Sequence, residues 1–88
     1  MPKEDPTSLP EALAIELRKP IEFAGETYRS IILREPTAGE WAQWEDKKGV
    51  EADILAVSIV AGIPEPVVRK IGSRDLIQAS RFLAGFLA

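Results

Sequence analysis

The chain has 88 residues, a formal net charge of −3, and neither cysteine nor histidine. This is the length of one small domain. The missing residue types exclude zinc sites built on cysteine or histidine, cysteine nucleophiles and histidine acid–base pairs. Lysine and arginine are dispersed along the chain and form no basic stripe, so we expect no nucleic-acid binding.

The N-terminus does not resemble a signal peptide, and the apolar runs are too short and too interrupted to span a bilayer. An absence of cysteine is typical of proteins from reducing compartments. The acidic residues are scattered over every segment and do not suggest a catalytic cleft. We therefore expect a cytoplasmic protein with no membrane association, no cofactor, no metal site and no enzymatic activity.

The N-terminal part of the chain contains a lead segment and a segment whose pattern allows either helix or strand. Residues 1–8 are rich in proline and charge and predict a flexible lead, so the single domain should span residues 9–88. Ser8 and Glu11 have the spacing of a capping box, which allows a short helix over residues 9–14. The period-two alternation of Leu13, Ile15 and Leu17 with polar residues favours a strand instead.

A β-hairpin is predicted over residues 20–33. We interpret Gly25 and Glu26 as the central residues of a type II′ turn, which places Phe23 opposite Tyr28 and Glu22 opposite Arg29. Pro20 lacks an amide proton, so the first strand should be kinked there or lie at a sheet edge. A lone hairpin is marginally stable in water, so this one must lie on the helices or pair with another copy.

From Pro36 onward the pattern is helical. Thr37 and Glu40 form a capping box that should open a helix over residues 38–48. A central helix over residues 50–61 is apolar on most faces, with Gly62 closing it in the left-handed conformation. A short helix over residues 65–71 and a last helix capped by Ser73 should follow. The expected core of the central helix is Val50, Ile54, Leu55, Val57, Ile59 and Val60.

These elements predict an α+β fold that is mostly α, in which the N-terminal hairpin packs on a small bundle of three to four helices. The polar residues near the central and last helices need no special role. Asp53, Ser58, Arg74 and Asp75 are explained by solvated faces and by complementation of the helix dipole.

Two aromatic groups are candidates for binding a partner. Trp41 and Trp44 lie three residues apart and share a helix face, which is more typical of core packing than of an exposed anchor. On the last helix, Leu76, Leu83 and Leu87 form one apolar stripe and Ala79, Phe82 and Phe86 form another. A domain of this size covers both stripes with difficulty, so we expect Phe82, Phe86 and Leu87 to contribute to an interface.

The sequence resembles the small tail assembly chaperones of contractile-tailed bacteriophages, the Mu-like and P2-like group. The resemblance rests on Lys19-Pro20-Ile21, on the glycine turn before Thr27-Tyr28, and on residues 33–40, which read LREPTAGE. It continues with a Gly-Ile-Pro step at residues 62–64 and with Asp75-Leu76 and Phe82-Leu83 in the last helix. It covers most of residues 17–88, and Glu40 stands where the family pattern has aspartate.

The resemblance implies a non-enzymatic protein that binds the tape-measure protein, helps to recruit tail-tube subunits, and is absent from the finished virion. The expected location is the cytoplasm of the bacterial host, and a homo-oligomer is expected. Two other functions remain open. One is a structural adaptor or completion protein of a phage particle, and the other is a small bacterial regulatory dimerisation domain.

Overall fold

The computed structural model describes residues 12–87. The expected flexible lead over residues 1–8 and the start of the ambiguous segment at residues 9–11 lie outside them. In chain order, the elements are β1 (Ala12–Phe23), β2 (Glu26–Arg34), α1 (Ala38–Trp44), α2 (Gly49–Ala61), α3 (Glu65–Val68) and α4 (Ser73–Leu87). An antiparallel hairpin followed by four helices confirms the expected α+β, mostly α fold.

The hairpin turn is one residue earlier than the sequence predicted. Ala24 and Gly25 both have positive φ angles, of 53° and 83°, so they are the central residues of a type I′ turn. Ile21 therefore lies opposite Tyr28, and the predicted pairings of Phe23 with Tyr28 and of Glu22 with Arg29 are wrong. The observed register buries Ile21, whereas glycine at position 25 by itself is compatible with either turn.

An irregularity interrupts β1 between Glu16 and Ile21, where the pairing register with β2 shifts. Pro20 lies in this segment, which agrees with the expected kink, and Leu17 from the same segment is buried. The backbone N–H of Arg18 donates to Oδ2 of Asp75 at 3.1 Å. The irregular part of β1 is thus held by the first turn of α4 rather than by a ladder partner.

Asp75 is the one charged side chain that is buried in the described part of the chain, at 4% exposure. This corrects the interpretation that a solvated face and the helix dipole explain it. The Arg18 guanidinium lies nearby, with Nε 3.8 Å from Oδ1. Asp75 accepts a hydrogen bond from a residue 57 positions away in the chain, so it joins α4 to the hairpin.

α2 is central, as its composition predicts, and packs against α1, α3, α4 and β2. Its buried side chains are Ile54, Ala56, Val57 and Val60, with Leu55 and Ile59 half-buried. Val50 is exposed, so the expectation that it lies in the core is wrong. It lies in the first turn of α2, where none of the other elements within residues 12–87 covers it.

The C-terminal end of α2 agrees with the sequence prediction, whereas α1 and α3 end earlier than predicted. Gly62 has a φ of 70° and its N–H donates to the carbonyl of Ser58, which confirms the left-handed end of α2. α1 ends at Trp44 and not at residue 48, and α3 ends at Val68 and not at residue 71. In both cases a turn replaces the last predicted helical residues.

Candidate functional site

A shallow groove lies between the start of α1 and the end of α4. Its volume is about 270 Å³, and it is lined by Glu35, Pro36, Thr37, Ala38, Trp41, Phe86 and Leu87. Trp41, Phe86 and Leu87 are three of the five residues that the sequence indicated for partner binding. The fold therefore brings two separate candidate segments to one surface, which we call the α1–α4 groove.

The two tryptophans have different environments. Trp44 is 6% exposed and belongs to the hydrophobic core, whereas Trp41 is 42% exposed and lines the groove. Residues three apart on a helix are offset by about 60° around its axis, which separates a core face from the neighbouring surface. The structure thus places Trp44 beneath the surface and leaves Trp41 as the accessible aromatic side chain.

The other wall of the groove is formed by the last turns of α4, whose apolar side chains range from buried to exposed. Leu83 is buried, Phe82 is partly buried against the core, and Leu87 is 38% exposed. The rings of Phe82 and Phe86 meet edge to face, with centroids 5.1 Å apart and planes at 85°. Phe82 therefore supports Phe86 from behind and does not itself line the groove.

Hydrogen bonds fix the segment that enters α1. The N–H of Glu40 donates to Oγ1 of Thr37 at 3.1 Å, and the N–H of Thr37 donates to Oε1 of Glu40 at 2.9 Å. This is the predicted capping box. Arg34, the last residue of β2, adds two bonds to the Glu40 carboxylate, at 2.8 and 2.7 Å. The end of β2 and the start of α1 are held as one unit, so the groove wall is preorganised.

These contacts also set the ionisation of the groove rim. The Arg34 guanidinium, followed by the Thr37 backbone N–H, lowers the pKa of Glu40 from 4.5 to about 2. The same carboxylate raises the pKa of Arg34. Both groups are therefore charged throughout the neutral range.

Two further hollows contain fewer apolar side chains. One, of about 380 Å³, surrounds the hairpin turn at residues 22–27. The other, of about 300 Å³, lies on α4 and is lined by Arg74, Ile77, Gln78 and Arg81. Ile77 is 50% exposed but has no apolar neighbour among these lining residues. Of these three hollows in the described part of the chain, the α1–α4 groove is the one in which exposed apolar side chains from two helices meet.

Sequence reasoning did not identify Pro36 and Ala38 as part of the groove. They belong to the segment that enters α1, and the capping box was the signal that could have pointed to it. Within residues 12–87, no three acidic side chains gather closely enough to hold a metal ion, and none of the helices could cross a membrane.

Comparison with known proteins gives one match. A family model described as "Phage tail assembly chaperone proteins, E, or 41 or 14" matches residues 14–88. The matched region includes β1 from its third residue, all of β2 and all four described helices, and therefore the whole α1–α4 groove. Neither the curated proteins nor the solved structures include a chain with significant similarity to this one.

Proposed function

Since the chain belongs to the phage tail assembly chaperone family, we propose that it binds the tape-measure protein during tail morphogenesis and that the α1–α4 groove receives this client. The family match over residues 14–88 carries the assignment to tail assembly. The clustering of Trp41, Phe86 and Leu87 supports the choice of surface. We further propose that the protein is of the Mu-like or P2-like type.

The chemistry of the groove suits an apolar side chain presented by a protein. Its volume of about 270 Å³ is below the range of about 300–1,000 Å³ usual for small-molecule sites. Trp41 and Leu87 are partly exposed, and tryptophan is enriched among the residues that anchor interfaces. An amphipathic helix of the client would insert its apolar residues here and keep its polar face in water.

We propose that this activity is non-enzymatic and takes place in the cytoplasm of the bacterial host. A chaperone of this kind covers apolar surface of its client until the tail forms and is then released. It would also help to recruit tail-tube subunits. The alternative of a structural completion protein predicts a different fate, because such a protein stays in the particle. Mass spectrometry of purified virions distinguishes the two, and we expect this chain to be absent from them.

Co-expression with the tape-measure protein, followed by pull-down, tests the proposed client and surface. We expect the wild-type chain to retain the tape-measure protein in the soluble fraction, and W41S and L87S to lose most of this binding. Trp41 also offers a direct signal, because the buried Trp44 is shielded from a quencher such as iodide. Quenching of Trp41 fluorescence should decrease when the client is bound.

I77S is the matched control. Ile77 is an exposed apolar residue of the same helix as Leu87, but it lies outside the groove. We expect I77S to bind the client as the wild type does. Equal loss of binding in I77S and W41S, with all variants folded by circular dichroism, would contradict the choice of groove. No soluble complex with any variant or with the wild type would contradict the proposed client.

A further inference from the structure

The two edges of the hairpin differ in their capacity to accept another strand. In the described residues, β1 and β2 form a two-stranded sheet, so each has one edge without a ladder partner. On β1, Pro20 has no N–H, the register shifts between Glu16 and Ile21, and the Arg18 N–H is already bonded to Asp75. These features interrupt any ladder on that edge.

β2 has none of these interruptions. It runs for nine residues without proline, and the register shift arises from extra residues in β1. Its even-numbered residues are exposed except for Tyr28, which is half-buried, and Ile32 is 61% exposed. An accessible, continuous strand edge of this length is a template for pairing with another chain.

We propose that β2 pairs antiparallel with β2 of a second copy of this chain, about a two-fold axis at Ser30. Ser30 is the middle residue of Glu26–Arg34, so the axis aligns the full length of both strands. The hairpins would then form one four-stranded sheet in the order β1, β2, partner β2, partner β1. Sheets of three or more strands are stable where a single hairpin is marginal.

The side chains of β2 are complementary to themselves in this register. Glu26 lies opposite Arg34 of the other copy, which gives an opposite-charge pair at both ends of the interface. Tyr28 lies opposite Ile32, an aromatic and β-branched pair that covers the exposed isoleucine. Among residues 12–87, Glu26 forms no salt bridge, and its carboxylate accepts a hydrogen bond from the Tyr28 hydroxyl at 3.0 Å.

Arg34 can serve both carboxylates. Within its own chain it uses Nη1 and Nη2 to contact Glu40 and the carbonyl of Glu35. A guanidinium has five N–H donors, so further donors are available to the partner's carboxylate. A second copy of this chain is favoured over an unrelated extended peptide because its β2 strand has Glu26 and Arg34 at the positions that pair with Arg34 and Glu26 across the axis at Ser30.

Single cysteine substitutions test the register, because the natural chain has no cysteine. At the two-fold axis, S30C faces the same residue of the other copy and should form an intermolecular disulfide under mild oxidation. The matched control is T27C, which is also exposed on β2 but would lie opposite Leu33. We expect S30C to cross-link at least about tenfold faster than T27C, because pairing raises the local thiol concentration.

Charge reversal gives a second measurement on the native interface. E26K would lie opposite Arg34 and should weaken the dimer about tenfold by sedimentation equilibrium. E22K makes the same change in net charge on β1 and should leave association unchanged, as should W41S in the α1–α4 groove. The wild type should have twice the chain mass in solution.

A wild-type chain that stays monomeric at about 100 μM, where even weak specific dimers assemble, would overturn the proposal. A dimer in which S30C cross-links no faster than T27C would overturn it too, because another surface would then hold the copies together. Neither result affects the proposed function, which depends on client retention by the groove.

Discussion

Two carboxylates, Asp75 and Glu40, make similar contacts in very different surroundings. Each accepts a hydrogen bond from a backbone N–H and lies near an arginine. The Asp75 side chain is buried and joins α4 to β1, whereas Glu40 is near the surface and joins residues that are close in the chain. One carboxylate therefore organises the tertiary structure, and the other organises a local junction.

This difference decides how much each contact contributes to stability. The Arg18 N–H is part-buried, so when it loses its acceptor it is only partly solvated by water and bears much of the cost of desolvation. An exposed group that loses its partner is solvated instead, and salt screens what remains of the ion pair. Similar bond lengths in the two regions thus correspond to different energies.

The largest effect is expected for D75A. Removal of this carboxylate leaves the Arg18 N–H without its acceptor at a part-buried site, which costs about 1–3 kcal/mol. For a domain of this size, each kcal/mol lowers Tm by about 4–8 °C. Thermal unfolding by circular dichroism measures the loss.

D75N is the control for this substitution, because its amide oxygen can still accept from the Arg18 N–H. We expect D75N to retain more stability than D75A. If D75A unfolds at the wild-type temperature, the contact between α4 and β1 does not contribute to stability.

A smaller, pH-dependent effect is expected at Glu40. Its folded-state pKa of about 2 lies below the ordinary 4.5, so the folded state favours the ionised form. The stabilisation is fully present above pH 4.5 and is lost as the pH falls toward 2. E40Q cannot ionise, so the difference in Tm between wild type and E40Q should shrink over this range.

The comparison with E40Q separates the contribution of Glu40 from those of the other carboxylates, because both proteins contain all the others. High salt at neutral pH should reduce the same difference, because the Arg34–Glu40 pair is close to the surface. A difference in Tm that stays constant from pH 5 to pH 2 would show that Glu40 does not act through its charge.

The smallest effect is expected for R69A. Arg69 pairs with Glu51 at 2.6 Å and with Glu65 at 2.9 Å, but all three side chains are exposed. The pairs raise the pKa of Arg69 and lower that of Glu51. Their loss should lower Tm less than D75A does, because water solvates the freed carboxylates. If R69A lowers Tm as much as D75A does, burial does not explain why one ion pair contributes more to stability than another.

Local rules predicted the elements of the fold well and their packing less well. The capping box at Thr37 and Glu40 and the end of α2 at Gly62 depend on neighbouring residues alone, and both are confirmed. The turn register depended on which arrangement buries Ile21, and the glycine at position 25 does not determine that. Val50 lies four residues before Ile54 and therefore on the same face of α2, but only Ile54 is buried.

For the candidate site, too, the sequence predicted some features and only the structure decided the others. Phe86 and Leu87 were identified because the last helix has more apolar residues than a small core can hold, and Trp41 because it shares a helix face with Trp44 and tryptophan is enriched at interfaces. Their meeting in one groove, with Pro36 as a further wall, depends on how α4 returns to the start of α1. The separation of Trp41 from Trp44 also needed the structure, because residues that share a helix face can still differ in burial.

By itself, the sequence determined the order of strands and helices, the capping box at Thr37 and Glu40, the end of α2 at Gly62, and the absence of cysteine and histidine chemistry. These depend on residue type and on spacing within a few positions. Only the tertiary structure decided that Asp75 is buried against Arg18, that Ile21 pairs with Tyr28, and that Trp41 meets Phe86. Such contacts join distant parts of the chain, and burial there follows from the packing of whole elements rather than from any one residue.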